Sequence, residues 1–236
     1  MKDVRRSYTD FHQARNPKHV YPSEWVIRTF LGTYPKLCLD KSKYAGAKIL
    51  DMGFGDGRNW SLLHHASFDI CGVEITDEIV ALNEERAREL NIPVTLKVGS
   101  NSAIPFESEF FDYILASSSC YYVDAGTSFA DNLKEYRRVL RPGGILVASL
   151  PESTNSIFDG CVELGDGHVE IRNDPWGLRN GYIFKWFRTE EDVIQTFSPY
   201  FDSFSIGLCR DNYYGVDVNA FLLVCRKKPF EAAAKS

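Results

Sequence analysis

The sequence has 236 residues, 44% of them hydrophobic, so it is long enough and apolar enough to bury a core as one domain. Its formal net charge is −5 without a long run of Lys or Arg, which argues against a nucleic-acid partner. The six cysteines include no Cys-x-x-Cys pair and no Cys/His grouping with zinc-ligand spacing, so we expect reduced thiols and no metal.

The start of the sequence, MKDVRRSYTDFHQARN, lacks the apolar core of a signal peptide. No apolar run approaches the roughly 20 residues that a membrane-spanning helix needs. We therefore expect a cytoplasmic protein that has no contact with a membrane. The composition leaves the oligomeric state open between a monomer and a homodimer.

Residues 1–46 are predicted to form an N-terminal helical arm, with a helix beginning at Ser23 because Val26 and Phe30 repeat at helical spacing. Beyond the arm, short apolar segments alternate with amphipathic helices. The predicted strands are residues 48–52, 69–75, 95–98, 111–116 and 145–150. The helices between them are predicted to begin at Gly57, at Thr76 or Asp77, and near Phe129. This alternation predicts parallel strands joined by helical crossovers, a doubly wound α/β core over residues 47–150.

The alternation stops after the fifth strand. Residues 151–188 are rich in Gly, Asn, Asp and aromatic residues and are predicted to be an irregular insertion. Ligands of doubly wound sheets bind beyond the carboxyl ends of the strands, so this insertion is expected on the substrate side. Residues 189–228 then close the fold with a Thr189-capped helix and two strands, and we predict a single domain over residues 1–236.

A glycine-rich turn follows the first strand. Residues 51–57 place glycines at three alternate positions, but Arg58 stands next, so the last glycine of the dinucleotide motif is missing. Asp51 and Asp56 would repel a pyrophosphate, whereas they attract a cationic ligand. Glu74 closes the second strand, where a carboxylate can accept hydrogen bonds from ribose hydroxyls. The pattern predicts a cofactor that has both a ribose and a positive charge.

These motifs resemble those of a known family. Residues 49–57 (ILDMGFGDG) look like the cofactor loop of class I S-adenosylmethionine-dependent methyltransferases, and residues 72–75 (GVEI) resemble their ribose-binding acid. Residues 104–114, from IPF to FDYI, and 137–144 (RRVLRPGG) are similar to two later family motifs. The resemblance covers residues 48–150. It implies a Rossmann-like seven-stranded sheet with the last strand antiparallel, S-adenosyl-L-methionine as cofactor and S-adenosyl-L-homocysteine as product.

The resemblance also implies a cofactor site. Backbone groups of residues 53–55 are expected at the methionine end, with Ser117 facing the same portion. The chain lacks the acid that many relatives carry after the third strand, so Asn101 or Ser102 is expected to replace that contact, because amides and hydroxyls both donate and accept. The predicted cofactor-binding residues are Asp51, Gly53, Phe54, Gly55, Gly57, Glu74, Ile75, Asn101, Ser102 and Ser117.

Methyl transfer is an in-line displacement, so the protein mainly aligns the nucleophile, and only a neutral hydroxyl would need a base. His168 is the first candidate base, because histidine titrates near pH 6.5 and its segment is expected to overhang the site. The other candidate catalytic residues are Tyr122 and His19. The candidate substrate-binding residues are Tyr21, Tyr121, Arg179, Tyr182 and Tyr213.

The sequence therefore predicts methyl transfer to a hydroxyl or amine of a small polar molecule, such as a sugar, a sugar nucleotide or a specialised metabolite. The alternative is a non-catalytic protein that binds S-adenosylmethionine as a sensor or a subunit. A nicotinamide oxidoreductase is disfavoured by Arg58 and Asp51 in the glycine turn.

Overall fold

The computed structural model describes residues 4–14 and 20–229. In these ranges it has the helices α1 Val4–Ala14, α2 Glu24–Leu31, α3 Trp60–His65, α4 Asp77–Glu89, α5 Phe129–Val139 and α6 Glu190–Phe197. Its strands are β1 Lys48–Met52, β2 Asp69–Glu74, β3 Val94–Val98, β4 Phe111–Ala116, β5 Tyr122–Val123, β6 Leu140–Pro151, β7 Val162–Gly165, β8 His168–Glu170, β9 Ile183–Lys185, β10 Phe201–Tyr213 and β11 Val216–Lys227. No helix in the described ranges is long and apolar enough to cross a membrane.

Seven strands form one sheet in the order β10-β11-β6-β4-β1-β2-β3. β1 lies inside the sheet and pairs in parallel with β2 and β4, and β4 pairs in parallel with β6. The last strand, β11, runs antiparallel between β6 and β10. The predicted Rossmann-like, doubly wound sheet with an antiparallel last strand is confirmed, and so is an insertion after the fifth strand of this sheet.

Both faces of the sheet are covered by apolar side chains. In β1, Ile49 belongs to one buried cluster and its neighbour Leu50 to the other. Since successive side chains of a strand point to opposite faces, the two clusters are the two layers of the core. Apolar side chains thus cover both faces of the sheet, which leaves the carboxyl edge of the strands for a ligand.

Local capping explains where several helices begin. Ser23 precedes α2 as predicted, although its side chain makes no capping hydrogen bond, whereas the Thr76 hydroxyl accepts the N–H of Ile79 at the start of α4. Thr189 and Asp192 form a capping box at α6. The helix after the glycine turn begins at Trp60 rather than at Gly57, because Gly57 has a φ of +68°, outside the helical region.

The prediction of an irregular insertion over residues 151–188 is wrong. Three short strands in this segment join β5 in an antiparallel sheet of order β5-β9-β8-β7. Asp166 and Gly167 make the two-residue turn between β7 and β8, with φ values of +50° and +68°. An Asp-Gly pair is a strong hairpin indicator, and sequence reasoning overlooked it here.

The closing hairpin is longer than predicted. β10 and β11 extend to a turn at Tyr214 and Gly215, both with positive φ. Ala220 of β11 pairs with Pro151, the last residue of β6, so the end of the hairpin projects beyond the carboxyl edge of the sheet.

Candidate functional site

A cleft lies at the carboxyl edge of the sheet, next to the ends of β1, β2 and β4. Its free volume is about 100 Å³. It is lined by Tyr8, Met52, Gly53, Val73, Glu74, Ile75, Ser100, Asn101, Ser118, Ser119, Tyr122, Asp124 and Tyr182. The cleft therefore joins the glycine turn, the end of β2, the segment after β4, the insertion and α1.

Gly53 is the point where the glycine turn reaches the cleft. Its N–H donates to the carbonyl of Val73 at 2.9 Å, and its φ is +67°. A Cβ at this position would lie 2.6 Å from Cβ of Ser119, closer than packed carbons allow. Only glycine combines this backbone conformation with this close approach.

The other residues of the turn support it from behind. Phe54 is buried against Trp60, and a Cβ on Gly57 would meet the same indole at 2.6 Å. A Cβ on Gly55 would lie 3.0 Å from Cε1 of His12, so α1 rests on the turn. The structure thus gives Gly53 a place in the cleft lining, whereas Phe54, Gly55 and Gly57 shape the turn.

Two carboxylates are buried beside the turn. Glu74 accepts hydrogen bonds from the N–H of Gly55 at 3.0 Å and of Ile75 at 2.8 Å. Burial raises the pKa of Glu74 despite these bonds. Burial also raises the pKa of Asp51 to about 7, helped by the nearby Glu74 charge. Oδ2 of Asp51 has no hydrogen-bond partner among the described residues, although the Trp60 indole nearby favours the charged form.

Asp56 differs from these two carboxylates. Its side chain pairs with Arg58, with Oδ2 at 2.6 Å from Nη2 and Oδ1 at 2.9 Å from Nε. Burial would raise the pKa of Asp56, but the Arg58 hydrogen bond and charge outweigh burial and lower it. The expectation that Asp56 attracts a cationic ligand is corrected, because Arg58 already neutralises it. Asp51 and Glu74 are the two buried acids that remain at the site.

The predicted polar contacts after β3 and β4 take a different form. The Asn101 side chain is buried and donates to the carbonyls of Ser119 at 2.9 Å and Tyr122 at 3.2 Å, while Tyr136 donates to its oxygen at 2.6 Å. Asn101 therefore holds the segment after β4 in place. Ser102 does not line the cleft, but its hydroxyl donates at 3.1 Å to the carboxylate of Asp124, which does.

The serines that line the cleft after β4 are not the one that was predicted. Ser118 and Ser119 line the cleft, whereas Ser117 does not. Ser118 has a φ of +57°, which turns the chain, and the Ser119 hydroxyl donates to the Met52 carbonyl. The turn therefore presents the two residues after Ser117.

Three of the residues predicted for catalysis or substrate binding meet at this cleft. Tyr122 and Tyr182 line it with their rings 5.2 Å apart at 81°. Nε of Arg179 donates to the Tyr122 hydroxyl at 3.0 Å. Tyr121 is buried behind Tyr122, stacked on its ring and edge-on to that of Phe184.

Other predicted residues lie elsewhere. β8 carries His168 to a separate hollow beside Lys185 and Trp186, so the structure does not bring this histidine to the cleft. Tyr21 is 78% exposed, and Tyr213 lies at the end of the β10–β11 hairpin, away from the cleft lining. Strand pairing within the insertion places His168 in the separate hollow. The length of the β10–β11 hairpin carries Tyr213 away from the cleft. His19 lies outside the described residues.

Sequence reasoning missed Tyr8 of α1, which enters the cleft and whose hydroxyl bonds to that of Tyr122. Its helix also touches α4 through the Thr9 and Thr76 hydroxyls, 3.1 Å apart. The spacing of Tyr8 and His12 at i, i+4 indicated one face of a helix, but nothing local indicated which partner that face covers.

A larger cavity of about 580 Å³ lies at the opposite edge, where the parallel strands begin. Its main charges pair with one another, Arg141 with Asp112 at 2.8 Å and Lys43 with Asp40 at 3.5 Å. No group of three His, Cys, Asp or Glu side chains arranged to hold a metal occurs in the described part of the chain. The cleft at the carboxyl edge remains the candidate site.

Comparison with known proteins identifies the domain around this cleft. Residues 50–148 match the model of a methyltransferase domain family. Over 106 residues the chain is 35% identical to erythromycin 3''-O-methyltransferase of Saccharopolyspora erythraea, covering 43% of this chain and 33% of that protein. Over 126 residues it is 25% identical to demethylmenaquinone methyltransferase of Staphylococcus saprophyticus, covering 51% of this chain and 52% of that protein. The chain thus spans about a third to a half of these curated relatives.

The fold comparison extends further along the chain. A Pyrococcus horikoshii protein of known crystal structure superposes with a TM-score of 0.63 at 20% identity, over 93% of this chain and 99% of that one. Almost the whole chain therefore shares one fold with it. Together, the matched model, the sheet order and the glycine turn identify residues 50–148 as a methyltransferase domain within the seven-stranded fold, and the cofactor of this domain family is S-adenosylmethionine.

Proposed function

We propose that the chain transfers the methyl group of S-adenosylmethionine to a hydroxyl or amine of a small polar molecule, such as a sugar, a sugar nucleotide or a specialised metabolite. The observation that supports this most is the buried pair Asp51 and Glu74 beside the Gly53 turn. Oδ2 of Asp51 is without a partner among the described residues, which suits a cationic ligand. The chain's likeness to part of an enzyme named as an O-methyltransferase points in the same direction.

The residues present fit this cofactor. When bound, S-adenosylmethionine supplies a methyl group on a positively charged sulfur. A bound cation favours the ionised forms of the buried acids Asp51 and Glu74, which would then supply negative charge next to it. Gly53 lets the backbone approach closely because no Cβ intervenes. Tyr8, Tyr122 and Tyr182 also line the cleft, where they would align an acceptor and exclude water. Alignment of this kind can supply roughly 7 to 11 kcal/mol.

We further propose a cytoplasmic location and an acceptor that is not a nucleic acid. All six cysteines are free, as expected in a reducing compartment. The net charge of −5 gives little attraction for phosphate backbones. We propose that the chain acts as a monomer or a homodimer, and sedimentation of the purified protein distinguishes these states.

Two experiments test the proposal. Calorimetric titration with S-adenosylhomocysteine should show binding and titration with NADH should show none, and the opposite result would contradict the cofactor. Radiolabelled S-adenosylmethionine should then pass its label to a member of a panel of hydroxyl and amine metabolites. Cofactor binding without transfer to any member of the panel would instead favour the sensor or subunit.

A further inference from the structure

A hydrogen-bonded chain of four side chains leads into the cleft from the insertion. Oδ1 of Asp174 lies 3.1 Å from Nη1 of Arg179, and Nε of Arg179 lies 3.0 Å from the Tyr122 hydroxyl. The Tyr122 hydroxyl in turn bonds to that of Tyr8. The hydrogen-bonded chain thus connects a cation in the insertion to two tyrosines that line the cleft.

The end of this hydrogen-bonded chain that lies in the insertion is rigidly held. The Asp174 side chain is fully buried and also accepts the N–H groups of Leu178 at 2.8 Å and Arg179 at 2.9 Å. Burial would lower the pKa of Arg179, but Tyr122, Tyr8 and Asp174 raise it, so the guanidinium stays charged. Arg179 is therefore a fixed positive donor behind Tyr122.

The hydrogen bond from Arg179 determines how the Tyr122 hydroxyl can bind a ligand in the cleft. Because Arg179 donates to the Tyr122 oxygen, the Tyr122 proton is available on the side of the cleft. Such a chain of donors ending on a cation stabilises negative charge on whatever oxygen accepts the last hydrogen bond. It would repel an ammonium group.

Tyr8 now fills the space in front of Tyr122. Its ring meets those of Tyr122 at 6.0 Å and Tyr182 at 5.7 Å, each nearly edge-on. The free volume beside it is about 100 Å³, whereas ligand sites commonly measure roughly 300 to 1,000 Å³. A phenol delivered by α1 thus occupies part of the space that a ligand would need.

We propose that the Tyr122 hydroxyl, positioned by Arg179, binds the nucleophilic oxygen of an aromatic hydroxyl acceptor, and that Tyr8 occupies this place until such an acceptor displaces it. The inference rests on the proposed methyltransferase function. Of the two acceptors proposed there, it selects the hydroxyl rather than the amine. The acceptor hydroxyl loses its proton to water, and its oxygen forms the bond to the methyl carbon. The carbon–sulfur bond breaks, and its electron pair stays on sulfur.

The test uses 4-nitrophenol, whose ionised form is coloured, and 4-nitroaniline as the matched amine. Both are titrated into the full chain saturated with S-adenosylhomocysteine, in the wild type and in Tyr8→Ala, which opens the space. We expect 4-nitrophenol to bind Tyr8→Ala about tenfold more tightly than the wild type, with its ionisation shifted to lower pH. In the Tyr8→Ala background, Tyr122→Phe and Arg179→Gln should each abolish that shift.

Arg172→Gln is the matched control, because Arg172 belongs to the same insertion but pairs with Glu170 at the surface. It should leave the ionisation shift unchanged. Equal binding of 4-nitroaniline, no ionisation shift, or a shift that survives both Tyr122→Phe and Arg179→Gln would overturn the inference. Affinity for S-adenosylhomocysteine is measured in every variant, so an absence of binding by the wild type would count against the proposed function itself.

Discussion

The Glu74 carboxylate accepts the N–H of Gly55 at 3.0 Å, so the end of β2 is tied directly to the glycine turn. Its other oxygen accepts the N–H of Ile75 at 2.8 Å. One buried acid therefore holds the end of β2 and the turn after β1 together. Its remaining lone pairs are able to face a ribose.

Glu74→Gln should weaken binding of S-adenosylmethionine, since it removes the charge and turns one acceptor into a donor facing a backbone N–H. We expect a loss of roughly 1 to 3 kcal/mol in calorimetric titration, the scale of a charge-assisted hydrogen bond. Glu85→Gln, on the exposed side of α4, should bind normally. Equal affinities for the two variants would remove Glu74 from the site.

The sequence predicted the parts of this site that local patterns determine. The strand ends and the turn from Asp51 to Gly57 follow from apolar runs that stop at glycine and acid. The parts it missed depend on pairing between distant segments: Tyr8 and Tyr122 are 114 residues apart, and β5 finds its partner only in β9. The pairing of Asp56 with Arg58 was missed for a different reason, because the sequence does not say which way a side chain turns.

The buried Asp51 should make the stability of the ligand-free protein depend on pH. Its pKa is about 7 in the folded protein against 3.8 ordinarily, so between these values the folded state keeps a proton that the unfolded chain has released. The free energy of unfolding therefore falls as pH rises through this window, by at most about 1.4 kcal/mol per pH unit from this group.

Denaturant titrations from about pH 5 to about pH 7 measure this slope. Asp51→Asn cannot titrate and should show a flatter dependence, whereas Glu85→Gln should keep that of the wild type. A slope in Asp51→Asn as steep as that of the wild type would mean that Asp51 ionises normally in the folded protein.

Gly53→Ala should both destabilise the fold and impair the site. The variant has to hold a φ of +67° and place its Cβ 2.6 Å from that of Ser119. Gly126→Ala is the matched control, because Gly126 has a φ of +82° but nothing within 4 Å of a Cβ. The control should lose roughly 1 to 2 kcal/mol through strain.

Gly53→Ala should lose roughly 1 to 3 kcal/mol more through overpacking against Ser119. Urea unfolding measures both losses, and only Gly53→Ala should also lose affinity for S-adenosylhomocysteine. If the two variants were equally stable and bound equally well, the close approach of the turn to Ser119 would be of no consequence.

Asp174→Asn should loosen the support of Tyr122 without touching the cofactor side. The buried carboxylate accepts three backbone N–H groups and the Arg179 guanidinium, so an amide would put a donor against donors and leave Arg179 without its partner. We expect a loss of roughly 3 kcal/mol in the free energy of unfolding, as for other broken buried ion pairs.

Glu170→Gln breaks the pair with Arg172 at the surface of the same insertion and should cost no more than about 1 kcal/mol. Affinity for S-adenosylhomocysteine should remain normal in Asp174→Asn, because Gly53 and Glu74 line the cleft and Asp174 does not. Urea unfolding and calorimetry of the two variants separate these effects. A loss in Asp174→Asn no larger than that in Glu170→Gln would show that Arg179 does not need Asp174 to stay in place behind Tyr122.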